Sequence, residues 1–265
     1  MSIKVGVAQF GATTDKEHNL EVARQLIEQA ADDGVNLVVL PENSMYSNPD
    51  GSADIGGEIE TLDGPFVSGI RDVAKRRGIA VVAGMTEQLS HSVKASNTVI
   101  ATDSAGELLG VYRKVHLYDA FGYKESDRIQ SAPFIPLTFD LGGVTFGVMT
   151  CYDLRFPEMA RLLVDAGANA LILPAAWAVG PAKEDHWSTL ARARAIENTS
   201  YVIVAGQSGP HCTGQSMIID PMGAVVVSAG EVEGFGAAAL SAERIDQVRL
   251  KNPSLANRKF KIAAL

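Results

Sequence analysis

The chain has 265 residues, of which 31 are acidic and 23 are basic, so its formal net charge at pH 7 is −8. Hydrophobic residues make up 46% of the chain and charged residues 20%, a composition that is ordinary for globular proteins and excludes a disordered or collagen-like chain. The acidic excess argues against nucleic acids and anionic membrane surfaces as partners, because both carry negative charge.

The cysteine content and the first residues indicate where the protein works. Only two cysteines occur, Cys151 and Cys212, which is typical of a reducing compartment. The first residues lead directly into an alternating strand pattern and lack the apolar core of a secretion signal. No apolar run reaches the roughly 18 residues that a membrane-spanning helix needs. We therefore expect a soluble, cytoplasmic protein.

Apolar periodicity predicts helices and strands along the whole chain, with no internal repeat and no low-complexity segment. In chain order we expect a strand at 3–7, a helix at 16–32, a strand at 35–40, a helix at 65–77, strands at 79–85, 97–102 and 107–112, a polar loop at 115–133, strands at 135–141 and 144–150, a helix at 157–166, a strand at 170–174, a helix at 183–198, strands at 201–205, 215–219 and 224–228, and a short helix at 242–250. The pattern predicts one domain over residues 1–265 with an α/β or α+β fold, in which helices cover mixed sheets.

Three reactive side chains directly follow predicted strands: Glu42, Lys114 and Cys151. Ligands collect beyond the carboxyl ends of strands in helix-covered sheets, so we expect these three side chains to meet there as a set for acyl transfer. In such a set Glu42 takes the thiol proton, with its pKa raised by enclosure. Lys114 and the positive end of a helix after Cys151 stabilise the thiolate. Lys114 and the backbone N–H of Tyr152 stabilise the oxyanion.

Taken singly, each of these residues also has an ordinary structural explanation. A cysteine after a strand is more often a small buried hydrophobe than a nucleophile. A lone glutamate or lysine at a strand end is usually solvated. The sequences around the three residues are more specific.

Six motifs together resemble the nitrilase superfamily of carbon–nitrogen hydrolases, and they occur in the order of that family. They are Leu40-Pro41-Glu42-Asn43, Tyr112-Arg113-Lys114-Val115-His116-Leu117, Cys151-Tyr152-Asp153-Leu154-Arg155-Phe156-Pro157-Glu158, His186-Trp187, Arg192-Ala193-Arg194-Ala195-Ile196-Glu197-Asn198 and Asp220-Pro221-Met222-Gly223. The resemblance covers essentially the whole chain. It implies a four-layer α-β-β-α sandwich of two mixed sheets, a Glu42–Lys114–Cys151 triad, and a homo-oligomer formed by packing sandwiches together.

The same resemblance implies a second glutamate in the loop after the lysine motif. The segment Gly122-Tyr123-Lys124-Glu125-Ser126 is similar to that part of the family. Glu125 is therefore the candidate for positioning the substrate and holding Lys114. The alternative is a solvated carboxylate in a polar loop.

The motif that begins at Cys151 resembles the amidase branch that includes omega-amidase and deaminated-glutathione amidase. Substrates of that branch carry a carboxylate away from the scissile amide, so Arg155 is a candidate clamp for this carboxylate. A structural ion pair of Arg155 with Glu158 or Asp153 is an equally good alternative. Trp177 either forms a wall of the pocket or packs in the core.

These motifs predict that the chain hydrolyses a small linear carboxamide to a carboxylate and ammonia through a thioester on Cys151. No cofactor and no metal are expected, since the five histidines lack ligand spacing. The segment 234–239 loosely matches a dinucleotide-binding loop but leads into no βαβ unit.

The alternatives to a carboxamide hydrolase are an N-carbamoyl amine or amino acid amidohydrolase, an aliphatic nitrilase, and a non-catalytic binding protein on the same fold. A thiol redox sensor is a weaker idea, because no resolving cysteine lies near.

Overall fold

Two six-stranded sheets and five α-helices make up most of the computed structural model, which describes residues 2–48 and 56–263. The helices are α1 (Lys16–Asp32), α2 (Pro65–Arg77), α3 (Pro157–Asp165), α4 (Lys183–Asn198) and α5 (Ala242–Lys251). The strands are β1 (Ser2–Gln9), β2 (Leu37–Val39), β3 (Ala80–Glu87), β4 (Ser96–Thr102), β5 (Leu108–Arg113), β6 (Asp119–Ala120), β7 (Tyr123–Lys124), β8 (Leu137–Leu141), β9 (Val144–Val148), β10 (Ala170–Ala175), β11 (Tyr201–Gly206), β12 (Met217–Ile219), β13 (Val225–Ser228) and β14 (Gly234–Ser241).

The two large sheets share one plan, with parallel strands at the centre and antiparallel strands at the sides. The first has the strand order β14-β1-β2-β3-β4-β5, and β1, β2 and β3 are parallel. The second has the order β13-β12-β11-β10-β9-β8, and β9, β10 and β11 are parallel. Both sheets are therefore mixed, as predicted.

Strand β2 shows how the chain separates its layers. Leu37 and Val39 belong to the core between the two sheets, whereas Val38 packs with the helices on the outer face. Successive side chains of a strand point to opposite faces, so a strand covered on both sides is apolar at every position. This explains the uninterrupted apolar run that predicted β2.

Helices cover the outer face of each sheet. Ile27 of α1 and Ile70 of α2 pack against the first sheet, and Leu163 of α3 and Ala191 of α4 pack against the second. The four-layer α-β-β-α arrangement is confirmed. Within the described ranges, no helix combines the length and the apolar character needed to cross a membrane.

The helix limits follow local signals that the sequence carries. The Asp15 side chain caps α1 by accepting a hydrogen bond from the His18 N–H at 3.0 Å. Pro65 stands in the first turn of α2, and Gly78 ends that helix in the left-handed conformation with φ of 65°. The helices predicted at 16–32, 65–77 and 183–198 match α1, α2 and α4.

Two parts of the chain differ from the prediction. Residues 234–239, considered above only as a poor dinucleotide loop, form most of β14, which pairs antiparallel with β1. Glycine and alanine have low strand propensity, so tertiary contacts, chiefly the pairing with β1, fix this strand. The loop expected at 115–133 contains the hairpin of β6 and β7 and a short 3₁₀ helix, Glu125–Asp127.

Candidate active site

Glu42 lies just beyond the end of β2 and is held by donors on every side. It is 2% exposed, and its Oε1 accepts hydrogen bonds from Asn97 Nδ2 at 2.7 Å and Lys114 Nζ at 2.9 Å. Its Oε2 accepts a hydrogen bond from the Ala176 backbone N–H at 2.6 Å. The Glu42 backbone passes so close to Gly84 that a Cβ there would lie 2.7 Å from the Glu42 Cα. A side chain at that position would displace the carboxylate.

Lys114 follows β5 and binds two carboxylates at once. Its Nζ lies 2.9 Å from Glu42 Oε1 and 2.9 Å from Glu125 Oε2. Glu125 is only 7% exposed and also accepts the Tyr118 backbone N–H at 2.6 Å. The expected alternative of a solvated loop carboxylate is therefore wrong for Glu125.

Asn97, at the start of β4, connects the two glutamates and was missed by sequence reasoning. Its Nδ2 donates to Glu42 Oε1 at 2.7 Å and to Glu125 Oε1 at 3.0 Å, and the residue is 3% exposed. The only sequence signal is a polar residue next to the apolar part of a strand, and such residues are common. Its contacts come entirely from tertiary packing.

Cys151 lies on the second sheet, just after β9, and faces the cluster formed by Glu42, Lys114 and Glu125. Its thiol lies close enough to Glu42 and Lys114 for both of their charges to shift the thiol pKa. The Cys151 backbone has φ of 44°, in the left-handed region that non-glycine residues rarely adopt. Such strain persists only where the surroundings over-determine the conformation, and it is frequent at functional sites.

The buried carboxylate of Asp153 holds this strained turn. It accepts hydrogen bonds from the Thr150 N–H at 2.9 Å and the Tyr112 hydroxyl at 2.6 Å, and lies 2.7 Å from His116 Nδ1. A five-residue 3₁₀ helix from Cys151 separates the thiol from α3, which begins only after it. The expectation that an α-helix terminus lies at the sulfur was therefore wrong.

The protonation states follow from burial and these short contacts. Burial and the negative charge of Glu42 raise the pKa of the Cys151 thiol well above its usual range, against the opposing charge of Lys114. Burial also tends to raise the pKa of Glu42, but Lys114 and the surrounding donors outweigh it, so the net shift is downward. The pKa of Lys114 is raised well above its usual range, because the two carboxylates outweigh its burial. At neutral pH the site therefore holds a neutral thiol, an ionised Glu42 and a charged Lys114.

Two expectations about these groups are corrected by this arrangement. We expected enclosure to raise the pKa of Glu42, but the Lys114 ammonium at 2.9 Å reverses that effect. We expected Lys114 to stabilise a resting thiolate, but its charge is already shared between Glu42 and Glu125. A neutral thiol beside an ionised carboxylate is suited to proton transfer during attack rather than before it.

A cavity of about 30 Å³ opens beside the thiol. It is lined by Tyr118, Cys151, Tyr152, Arg155, Ala176, Trp177, Ala178 and Lys183. Within the described ranges, no group of His, Cys, Asp and Glu residues could hold a metal ion.

Arg155 and Trp177 both face this cavity. In the part of the chain that the structure describes, Arg155 forms no ion pair, so the pairs considered with Glu158 and Asp153 are absent. Its Cζ lies 4.8 Å from the centre of the Trp177 ring, and its Nη2 lies 3.4 Å from His186 Nδ1. Trp177 is 4% exposed and packs on Trp187, so it serves the core as well as the cavity.

Comparison with known proteins places this geometry in a family. A family model described as carbon–nitrogen hydrolase matches residues 4–250. Deaminated glutathione amidase of Escherichia coli O157:H7 is 40% identical over 257 residues, which cover 97% of each chain. Omega-amidase NIT3 of Saccharomyces cerevisiae is 35% identical over 281 residues, covering 98% of this chain and 94% of the relative.

Solved structures agree with the sequence relatives. Yeast Nit3, a member of branch 10 of the nitrilase superfamily, superposes with a TM-score of 0.86 at 32% identity, covering 98% of this chain and 97% of that chain. A mutant of the amidase of Nesterenkonia sp. AN1 superposes with a TM-score of 0.81 at 26% identity, covering 94% of this chain and 97% of that one. In that amidase structure, acrylamide has added to the active-site cysteine.

Proposed function

The chain belongs to the carbon–nitrogen hydrolase family and is an enzyme of amide hydrolysis, and we propose that its substrate is a small linear carboxamide with a remote carboxylate. The products are the corresponding acid and ammonia, and the reaction passes through a thioester on Cys151. The observation that carries this proposal is the neutral Cys151 thiol, which lies beside the ionised Glu42 and lines a cavity.

In the proposed acylation step, Glu42 accepts the thiol proton as the sulfur attacks the amide carbonyl carbon. The Lys114 ammonium and the Tyr152 backbone N–H stabilise the oxyanion of the tetrahedral intermediate. The protonated Glu42 then gives its proton to the amide nitrogen, the carbon–nitrogen bond breaks, and ammonia leaves. In the second step Glu42 takes a proton from water as the water oxygen attacks the thioester carbon. The carbon–sulfur bond then breaks, Glu42 returns the proton to the sulfur, and the acid leaves with the thiol and the ionised Glu42 restored.

Glu125 has a positioning role in this mechanism. It contacts Lys114 through both of its oxygens, at 2.9 and 3.1 Å. With Asn97 it fixes the ammonium beside the carboxylate that acts as base. Its own oxygens are occupied by these donors and by the Tyr118 N–H, which leaves Glu42 as the acceptor for the thiol proton.

Arg155 supports the assignment of a carboxylate-bearing substrate. Its guanidinium lines the same cavity as the thiol and has no carboxylate partner within the described residues. An arginine in this situation is suited to a charge-assisted, bidentate contact with a carboxylate. The names of the two sequence relatives, deaminated glutathione amidase and omega-amidase, agree with this substrate class. Trp177 forms part of the cavity wall beside this clamp.

Ammonia release over a substrate panel tests the function. The panel contains ω-amides of dicarboxylic acids, N-carbamoyl amino acids and aliphatic nitriles. We expect turnover of the ω-amides, with no turnover in the Cys151→Ala variant. If the carbamoyl compounds release carbon dioxide together with ammonia and the ω-amides are inert, the enzyme is an N-carbamoyl amidohydrolase and this proposal is wrong. Preferred hydrolysis of the nitriles would replace it with a nitrilase.

Three further expectations from the sequence stay predictions. A single domain over residues 1–265 is tested by a single cooperative unfolding transition. A homo-oligomer is tested by measuring the molar mass by light scattering as the protein elutes from a size-exclusion column. A cytoplasmic location, expected from the two cysteines, is tested by cell fractionation.

A further inference from the structure

We propose that Lys183 and Arg155 together form a two-cation subsite that binds the remote carboxylate of the substrate, and that Lys183 sets the preference for anionic over neutral amides. This inference rests on the proposed function and specifies how its substrate is selected. Lys183 belongs to none of the motifs that identified the site, and its position at the start of α4 carries no signal of binding.

Among the residues that the structure describes, Lys183 is a buried cation without a carboxylate partner. It is 6% exposed, and its Nζ donates a hydrogen bond to the Tyr118 hydroxyl at 3.0 Å. Aromatic rings provide its other close contacts, with the centres of Phe121 at 4.0 Å and Trp177 at 5.7 Å. In the described part of the chain, no carboxylate lies within ion-pair distance of it. Buried lysines are almost always paired, so this arrangement favours an anionic ligand.

Arg155 approaches the same space from the segment after the thiol. Its Cζ lies 5.8 Å from the centre of the Phe121 ring, so this ring contacts both cationic heads. The Arg155 Nε is buried and has no hydrogen-bond partner within the described residues. Both Arg155 and Lys183 line the cavity that contains Cys151. A carboxylate between them would satisfy donors that otherwise lack an acceptor.

The charges around the thiol explain why two cations are needed. Glu42 and Glu125 share the single positive charge of Lys114, so this buried cluster carries a net negative charge. An approaching carboxylate would be repelled, and the repulsion is strong because the cluster is shielded from water. Arg155 and Lys183 reverse the sign of the local charge. A substrate with one carboxylate in the subsite then brings the sum of these charges to zero.

Tyr118 connects the proposed subsite to the catalytic cluster. Its hydroxyl accepts from Lys183 at 3.0 Å, and its backbone N–H donates to Glu125 at 2.6 Å. The position of the Lys183 head is therefore fixed relative to Glu125 and Lys114. The distance between the remote carboxylate and the scissile carbonyl of the substrate is set by the same contacts.

Two substrates and two variants test the subsite. The substrates are glutaramate and its analogue in which an isopropyl group replaces the carboxylate. The variants are Lys183→Met, which keeps most of the apolar stem, and the control Lys124→Met. Lys124 lies on the neighbouring hairpin, but its side chain is 64% exposed and pairs with Asp127. For each protein we measure the ratio of kcat/KM for glutaramate to kcat/KM for the neutral analogue.

Lys183→Met should lower this ratio about 10- to 100-fold, the loss expected for one hydrogen bond to a charged group. The decrease should come mainly from a higher KM for glutaramate. Lys124→Met should leave the ratio unchanged. An equal loss on both substrates in Lys183→Met would show that Lys183 is only structural, and would overturn the subsite while amide hydrolysis stands.

A binding measurement separates failure of the subsite from failure of the proposed function. Glutaramate binding is measured by calorimetry with Cys151→Ala and with Cys151→Ala/Lys183→Met. We expect about 10- to 100-fold weaker binding in the double variant. Equal affinity of the two proteins would overturn the subsite. If glutaramate binding depends on Lys183 but the wild-type chain does not hydrolyse the compound, the proposed function is refuted and the subsite stands.

Discussion

Replacement of Glu42 by glutamine changes a carboxylate whose neighbours are all donors. Lys114 and Asn97 donate to Oε1, Ala176 donates to Oε2, and the Cys151 thiol lies beside the carboxylate. A glutamine side chain offers one acceptor and one donor group. If its oxygen faces the ammonium, its NH₂ faces the Ala176 N–H. That N–H loses its acceptor, and the thiol loses its base.

The expected magnitudes follow from this geometry. Lys114 keeps its contact with Glu125 at 2.9 Å, so no buried charge is left alone. The loss of stability should therefore be limited to the unpaired N–H, about 1–3 kcal/mol. The loss of a positioned base should lower kcat by about 10²- to 10⁴-fold, equivalent to about 3–5 kcal/mol in the activation barrier.

A second readout distinguishes a lost base from a damaged fold. Because the charge of Glu42 raises the pKa of Cys151, Glu42→Gln should lower that pKa while it lowers activity. The pKa of the thiol is measured by following the ultraviolet absorbance of the thiolate against pH, with the absorbance of the Cys151→Ala protein subtracted. Ammonia release within a few-fold of wild type, or an unchanged thiol pKa in a folded variant, would refute the role given to Glu42.

Three other expectations concern neighbouring groups. Glu125→Gln should retain the thiol-to-Glu42 contact but lower kcat about 10- to 100-fold through loss of the charge-assisted contact with Lys114, and an effect on KM alone, measured by ammonia release, would contradict this. Arg155→Ala should raise KM for carboxylate-bearing amides, and equal losses on neutral amides would reject the clamp. The raised pKa of Lys114 contributes stability that is lost only as the pH rises above about 10.4. The depressed pKa of Glu42 contributes stability that is present above the ordinary carboxyl pKa of about 4.3 and lost as the pH falls, whereas the raised pKa of the Cys151 thiol lowers stability as the pH rises above the ordinary thiol pKa of about 8.5. Melting temperatures should therefore reach a plateau between these limits, and a maximum outside them would contradict the assigned directions.

Much of the fold and part of the site follow from local sequence patterns. Period-two and continuous apolar runs fix the strands, and capping residues such as Asp15 and Gly78 fix the helix ends. Glu42, Lys114 and Cys151 lie within three residues of the ends of β2, β5 and β9, where ligands collect, but the motifs around them are what make them specific candidates.

The remaining features depend on contacts between distant segments. Asn97 and Lys183 occupy unremarkable positions at the starts of β4 and α4, and only tertiary packing brings them to the site. The pKa of Glu42 could not be predicted, because burial and the Lys114 contact act in opposite directions. Strand β14 escaped prediction because its small residues have little intrinsic preference for a strand.

Trapping of the acyl-enzyme tests the central claim most directly. The protein is mixed with an ω-amide substrate, quenched with acid within one turnover, digested and analysed by mass spectrometry. We expect the peptide that contains Cys151 to gain the mass of the substrate less ammonia, and the adduct to disappear on treatment with hydroxylamine. Ammonia release without any adduct, together with full activity of Cys151→Ala, would contradict catalysis by this thiol.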